Sequence, residues 1–523
     1  MPDTLLTRLA RFAVDLQSED LPPGVVERVR LQHLSTAGAI RQLSGTALAR
    51  ELHRCTGRRG PAVKSTGGTG PVRDALRLHS TLAAAWSWED QLFMGSTSVG
   101  GVTAAWALAK GCTVADLVRA TAAANEVAGR LGAALLIGPD PADACGEIHA
   151  LAATTAAGVL EGLDAHTLAH AMALAVAAPS RMPFGVLAGD SPARGMATAQ
   201  AVVRGLDAVG LAKKGVRGPL DALGAPDGVL DRGAWIPLRA AFTGLGQAWL
   251  SQTLAYKQLP APLIWQAPLQ ALREVLRRHV KAADKRLRAD QVEGIELALP
   301  GPSLALAHRA SGRPATTPWA VPWRLSAAVG VLVADHDLCG RTQDPEVWAA
   351  IQDRVSLVAS KVSVAHDWGL TMDLAQHTVD IWAPLLAGVT AAEIQEAARA
   401  SRSVHGVPRS PGAAGLLALI RTRPSQLLEQ IRYGSGNLAD ARIDEWQYRL
   451  GAKVRVHTTR GGTWPEDREI PEASPGWSWD KTRTSVFQKL SGADGDQAAA
   501  AALCDTGPAE PADAWVRSLL LPA

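Results

Sequence analysis

Residues 111–136, GCTVADLVRATAAANEVAGRLGAALL, read as a single buried helix. Thr113 can cap its first turn, and Asp116 sets a negative charge where backbone N–H groups have no intrahelical partner. Most of the remainder is alanine, glycine, valine and leucine, small enough to let neighbouring helices approach closely. The pattern extends in both directions. Leu5, Leu9, Phe12 and Leu16 recur at three- and four-residue spacing, and Leu21-Pro22-Pro23 ends one helix and starts the next. Downstream, GLDAHTLAHAMALAVAA (162–178) has the same small-residue character. Residues 1–210 therefore read as a helical bundle.

Beyond residue 285 the periodicity changes. VEGIELALP (292–300), SKVSVAHD (360–367) and AKVRVHTTRGG (452–462) alternate and carry β-branched residues, as half-buried strands do. RLSAAVGVLVADHD (324–337) and AAEIQEAARASRS (391–403) between them read as helices, and the tail from 497 is helical again. Gly/Pro/Ser-rich connections at 405–414 and 471–478 are the expected flexible points. The expected class is mainly α, with an α+β module inserted into or following a helical one.

Composition narrows the function classes. At 523 residues the chain exceeds one ordinary core. Its 47% hydrophobic and 20% charged residues describe a folded globular chain. The net charge of +3, without a basic block interleaved with aromatics, argues against a nucleic-acid partner. No run of 18 apolar residues occurs, so no membrane span is expected. MPDTLLTRLARFAVDL carries Asp3 and a helical period, and reads as a first helix instead of a signal peptide. The five cysteines (Cys55, Cys112, Cys145, Cys339, Cys504) are scattered without a CxxC pair, so neither zinc nor disulfides are indicated. A cytoplasmic location fits that usage. The stretch from Gly189 to Ala193, GDSPA, lacks the closing glycine of a nucleophile elbow. STGGTG (65–70) has no following Gly-Lys-Ser/Thr and reads as a turn, not a phosphate loop. His166 and His170 lie one helical turn apart but lack the HExxH glutamate, so no metal and no cofactor are expected.

The helices are interrupted by WSWEDQLFMGSTSVGGV (86–102), which holds two tryptophans, two carboxylates, a Ser/Thr cluster and a Gly-Gly pair. Such a break commonly builds a pocket wall. His149, in CGEIHALAATTAAGVL, reads as a loop-to-helix residue. Lys257, in AYKQLPAPLIWQAP, has apolar flanks. A desolvated lysine has a lowered pKa and can act as acid, base or anion anchor. Arg194 lies in the break SPARGMATAQA. Taken singly, each has a plain structural alternative, a satisfied core histidine or a snorkelling surface lysine among them.

Taken in order, these pieces resemble the MmgE/PrpD family, which includes 2-methylcitrate dehydratase and cis-aconitate decarboxylase. FAVDLQSEDLPPGVVERVRLQHLSTAGAI is similar to the family's opening helices, and Glu126, Val127 and Arg130 fit its Glu-Val-x-x-Arg-like helix. IHALAATTAAGVLEGLDAHTLAHAMALA resembles the histidine-led alanine-rich helix. AQAVVRGLDAVGLAKKGVRGP resembles the helix ending in a Gly-x-x-Gly-Pro turn, and YKQLPAPLIWQAPLQAL the Lys-x-Tyr-Pro segment. SWDKTRTSVFQKL resembles the helix by which the chain returns to the first domain.

The resemblance implies an all-helical domain over 1–270 and 481–523 and a smaller α+β lid over 271–480, with an insertion near 380–445. It places the active site in the cleft between them, in a homodimer. It assigns catalysis to His149, Lys257 and Asp90. Other positions depart from the family pattern: Thr97 and Gln266 replace histidines, Arg194 a lysine, and Trp323 a tyrosine. With Gln91 and the tryptophans Trp86, Trp88 and Trp265, these are the expected substrate contacts. Loss of proton-transfer groups and gain of tryptophan point to a repurposed pocket. The expectation is acid–base lyase or isomerase chemistry (elimination, decarboxylation, isomerisation or cyclisation) on a small molecule larger and more apolar than citrate, in specialised metabolism. The alternatives are a conventional 2-methylcitrate or aconitate-type enzyme, and an inactive homologue serving as a binding subunit.

Overall fold

The computed structural model describes residues 3–138, 141–178, 182–310, 314–335, 337–400, 403–404, 407–408, 425, 429, 431–432, 434–492 and 495–521. Its first half is a bundle of helices α1 (Leu5–Asp15), α2 (Pro23–Ser44), α3 (Val72–Ala85), α4 (Ser98–Ala107), α5 (Val114–Ala134), α6 (Pro141–Leu160), α7 (Ala165–Ala177) and α8 (Ala193–Lys213). The capping expected at Thr113 is present. Asp116 N–H donates to Thr113 Oγ1 at 3.2 Å, and Thr113 N–H donates to Asp116 Oδ2 at 2.9 Å.

Helix α6 is the hub, packed on by α4, α5, α7 and α8. Missing side chains permit the close approach. A Cβ on Gly100 of α4 would lie 2.3 Å from the His149 carbonyl oxygen, and one on Gly205 of α8 would lie 2.4 Å from that of Ala150. Helix α6 also begins earlier than the sequence suggests, at Pro141, so His149 lies inside it and not at a loop-to-helix junction. Gly146 weakens a helix by only about 1 kcal/mol, which packing on several sides outweighs.

The second half is a smaller α+β unit. Four strands, β1 (Val292–Leu299), β2 (Val362–His366), β3 (Ala452–Thr458) and β4 (Thr463–Arg468), form a sheet in the order β4-β3-β1-β2. β1 and β2 are parallel and the other pairs antiparallel. Val292, Ile295, Leu297, Leu299, Ala452, Val454 and Val456 are buried, and helix α9 (Gln266–Ala283) packs against β3 and β4. β4 has no counterpart in the sequence reading. Its Pro465 suits only an edge strand, where a missing donor is harmless.

The helices expected at 324–337 and 391–403 run over Leu325–Asp335 and Ala391–Ala400. The STGGTG stretch forms the end of a short ladder pairing Ala62–Val63 with Thr69–Gly70, with Gly67 and Gly68 at positive φ. The connection at 405–414 (except 407–408) and the centre of the 380–445 segment lie outside the described residues. Helix α10 (Trp368–Trp382) lies in the second unit. Helix α11 (Trp479–Ser491) returns to the bundle and packs on α2, where a Cβ on Gly38 would sit 2.8 Å from the Lys489 carbonyl oxygen. Among the described residues no helix is long and apolar enough to cross a membrane.

Candidate active site

The segment after α3 is built to present a carboxylate. Ser87 and Phe93 adopt left-handed φ of 55° and 43° although neither is glycine, a strained conformation that persists where surrounding structure enforces it. Between them Gln91–Leu92 pairs antiparallel with Leu254–Ala255. That two-residue ladder delivers Lys257 to the loop: its Nζ donates to the Ser87 carbonyl at 2.6 Å and lies 3.4 Å from Glu89 Oε2. On the other side Arg194, in the first turn of α8, donates to Glu89 Oε1 at 2.6 Å and to the Ala84 carbonyl. Its guanidinium also lies 5.3 Å from the Trp323 ring centre. His149 of α6 completes this corner, and all four polar side chains are buried.

The corner opens on a cavity of about 310 Å³, within the range of small-molecule sites. The remaining wall is overwhelmingly apolar, with Leu374, Val379 and Trp382 from α10 and Trp446, Tyr448 and Leu450 from the segment before β3. Glu89 Oε2 has the Lys257 ammonium 3.4 Å away, and among the described residues His149 Nδ1 and Arg194 Nε have no hydrogen-bond partner. The corner therefore keeps polar capacity that a ligand could use.

Electrostatics set the protonation states. Burial alone would raise the Glu89 pKa, but the Arg194 and Lys257 cations overcome it and hold the group below its ordinary value, as a carboxylate. Burial lowers Lys257 to about 8 against the pull of Glu89. Burial lowers His149 to about 4, with Glu89 opposing and Arg194 reinforcing. Near neutral pH the corner therefore holds an ammonium, a guanidinium, a carboxylate and a neutral imidazole.

The sequence-derived candidates separate cleanly. His149, Lys257, Arg194, Gln91 and Trp323 line the cavity. Asp90 does not. It points into the bundle, accepts from Ser35 Oγ and from Thr36 Oγ1 (3.2 Å), and lies 3.9 Å from Lys489 Nζ. Burial raises it to about 6 despite Lys489. Thr97 is also turned inward, donating to Asn125 Oδ1 in a network with Gln32. Gln266 braces its own loop, accepting from the Gln258 and Leu259 amides and donating to the Leu259 and Ala261 carbonyls. Trp86 donates to the Pro318 carbonyl and Trp265 to that of Ser303, both as packing between the two halves of the chain. Trp88 packs beside Lys489 Nζ, 5.7 Å from its ring centre. These six fail to reach the cavity because side-chain direction, not proximity along the chain, decides what faces it.

Sequence reasoning missed Glu89, Phe93, Trp382, Trp446, Tyr448 and Lys489. Lys489 left a readable signal. It falls on the apolar face of VFQKL with Val486 and Leu490, where a lysine needs a buried partner. Glu89 left none, because adjacent carboxylates in an irregular loop look alike. His166 and His170 have ring centres 4.7 Å apart, and His170 Nδ1 meets the Gly218 carbonyl. Among the described residues no group of three or more His, Cys, Asp or Glu is arranged to hold a metal.

In comparisons with known proteins, residues 7–233 match the family described as the MmgE/PrpD N-terminal domain. No curated protein matches the chain.

Proposed function

Because the chain belongs, through residues 7–233, to the MmgE/PrpD family of dehydratase- and lyase-type enzymes, we propose that its cavity carries out acid–base lyase or isomerase chemistry on a carboxylic acid larger and more apolar than citrate. One observation carries this reading: a single charged corner, with unsatisfied polar atoms, faces an otherwise apolar cavity. Arg194 and Lys257 hold the substrate carboxylate. Neutral His149 takes the proton from the adjacent carbon, and the Lys257 ammonium gives one to the departing group or to the product carbon. Glu89, bridging both cations, fixes their spacing and offsets part of their charge. The part expected of Asp90 passes to Glu89, and Asp90 secures the loop from behind.

Incubating the full chain in D2O with a panel of carboxylic acids that includes 2-methylcitrate and cis-aconitate tests the reading by proton NMR. Deuterium should enter beside the carboxylate of an apolar acid, or product should appear, and His149→Ala should abolish both. Undiminished exchange in His149→Ala removes the role given to that residue. Turnover confined to 2-methylcitrate or cis-aconitate would return the chain to the conventional chemistry of its relatives.

A further inference from the structure

Outside the charged corner, part of the cavity lining is an ordered aromatic cluster. Phe93 stacks on Trp382 with ring centres 4.1 Å apart and planes 27° apart. Trp446 meets both edge-on, at 5.6 Å from Phe93 and 5.7 Å from Trp382, and Tyr448 meets Trp446 edge-on at 5.4 Å. The four rings come from three separate segments, so each holds its neighbours in one orientation. Phe93 itself fills the angle between the two indoles, so what the cluster turns to the cavity is a fixed aromatic surface against which a flat ring can lie. Around them the wall is Leu374, Val379, Leu385, Leu386 and Leu450. Among the described residues the cavity lining has no Asp, Glu, Lys or Arg besides Glu89, Arg194, Lys257 and Arg309. The remaining charged lining residue, Arg309, spreads over Phe184 at 4.2 Å, and Phe184 packs edge-on to Trp323 beside Arg194. The wall therefore offers no anion to accompany a cationic group and no cation to receive a second carboxylate.

Charge balance in the corner gives the second half of the inference. Apart from Arg309, which is itself engaged over Phe184, the two cations Arg194 and Lys257 face one carboxylate, Glu89, while His149 is neutral, leaving one surplus positive charge among these four. One substrate carboxylate neutralises it. A second or third would stand against apolar wall, where an unpaired charge is strongly disfavoured. Resting on the function proposed above, we propose that the substrate is a monocarboxylic acid whose apolar part is a planar aromatic or conjugated ring seated against Trp382 and Trp446.

Calorimetric titration of the full chain with four probes tests this: 2-naphthylacetate, octanoate, acetate and tricarballylate. Naphthylacetate should bind at least about tenfold more tightly than octanoate and tricarballylate. Trp382→Leu should weaken it by about threefold to tenfold, with Trp382→Phe recovering most of the loss and thermal melts showing both variants folded. Octanoate binding as well as naphthylacetate would overturn the planar ring. Tricarballylate binding as tightly or more tightly would overturn the single carboxylate. Unchanged affinity in Trp382→Leu would overturn the seat. All three failures leave the acid–base reading intact if Arg194→Ala still abolishes binding. Binding of naphthylacetate that survives both Arg194→Ala and Lys257→Met, or no binding by any probe, would remove the charged corner as a binding site and both readings with it.

Discussion

Two neighbouring carboxylates at 89 and 90 have opposite surroundings and opposite tasks. Glu89 faces the cavity between Arg194 and Lys257, while Asp90 faces Ser35, Thr36 and Lys489. The Asp90–Lys489 pair is fully enclosed, and Lys489 also donates to Ser35 Oγ (2.8 Å) and the Trp88 carbonyl (2.9 Å). Lys489→Met should lower stability by about 3–5 kcal/mol, because it strands a buried carboxylate. Adding Asp90→Asn should recover much of that loss in urea denaturation. A double variant as unstable as the two single losses added together would show that the residues do not act as a pair. In the cavity, activity requires His149 unprotonated and Lys257 protonated. The profile of kcat/KM should rise through about pH 4 and fall through about pH 8. Lys257→Arg should lower kcat sharply, since a guanidinium stays charged but cannot give up a proton, and the residual activity should lack the alkaline fall. An alkaline limb unmoved by that substitution would assign it to another group.

Whole elements set the distances that these residues need. Gly100 and Gly205 let α4 and α8 touch the α6 backbone on either side of His149. A methyl at Gly100 has no room, so Gly100→Ala should push α4 outward, cost about 1–3 kcal/mol and reduce turnover. Gly210, also on α8, has nothing within 4 Å of its notional Cβ. Gly210→Ala should be neutral or stabilise by up to about 1 kcal/mol, and thermal melts of the pair make the comparison. The Glu126 and Arg130 pattern on α5 is likewise a holding device. Glu126 accepts from the Leu250 and Ser251 amides at 2.9 Å each, and Arg130 donates to the Ala241 and Ala248 carbonyls at 2.8 Å each. Together they anchor residues 241–251, immediately before the ladder that carries Lys257. The sequence identified the pair but not what it grips.

Across the whole molecule, buried histidines tie stability to pH. His33 accepts at Nδ1 from Trp106 Nε1–H (2.8 Å), and His79 accepts at Nε2 from the Ser65 amide (3.1 Å). Burial lowers both to about 3 and His149 to about 4. The folded chain keeps all three neutral, whereas the unfolded chain protonates them below about 6.5. Unfolding therefore takes up protons, and stability should fall as pH drops from about 6.5 towards 4. Asp90, raised to about 6, and Glu126, raised by burial, work the other way over part of that range. Two groups against three still leave a net loss, since a tenfold difference in proton affinity is worth roughly 1.4 kcal/mol. Urea midpoints at pH 7.5 and 5 measure it, and equal midpoints would contradict it. The two halves of the chain also meet through Arg324 and Asp190 (3.2 Å) and through the Tyr448 hydroxyl and the Phe93 carbonyl (3.4 Å), which closes the cavity between them.

Periodicity and capping were enough to specify the helical first half and three of the four strands, because these depend on residues close in sequence. The segment 86–102 and residues His149, Lys257 and Arg194 also stood out, as polar groups in apolar surroundings. Which of Glu89 and Asp90 faces the cavity, and that Trp382 and Trp446 do so while Trp86 and Trp265 do not, depended on the tertiary structure. Side-chain direction in an irregular loop is set by what packs against it: here the Leu254–Ala255 ladder, α8 and α11. Those partners lie more than a hundred residues away, and no local pattern encodes them.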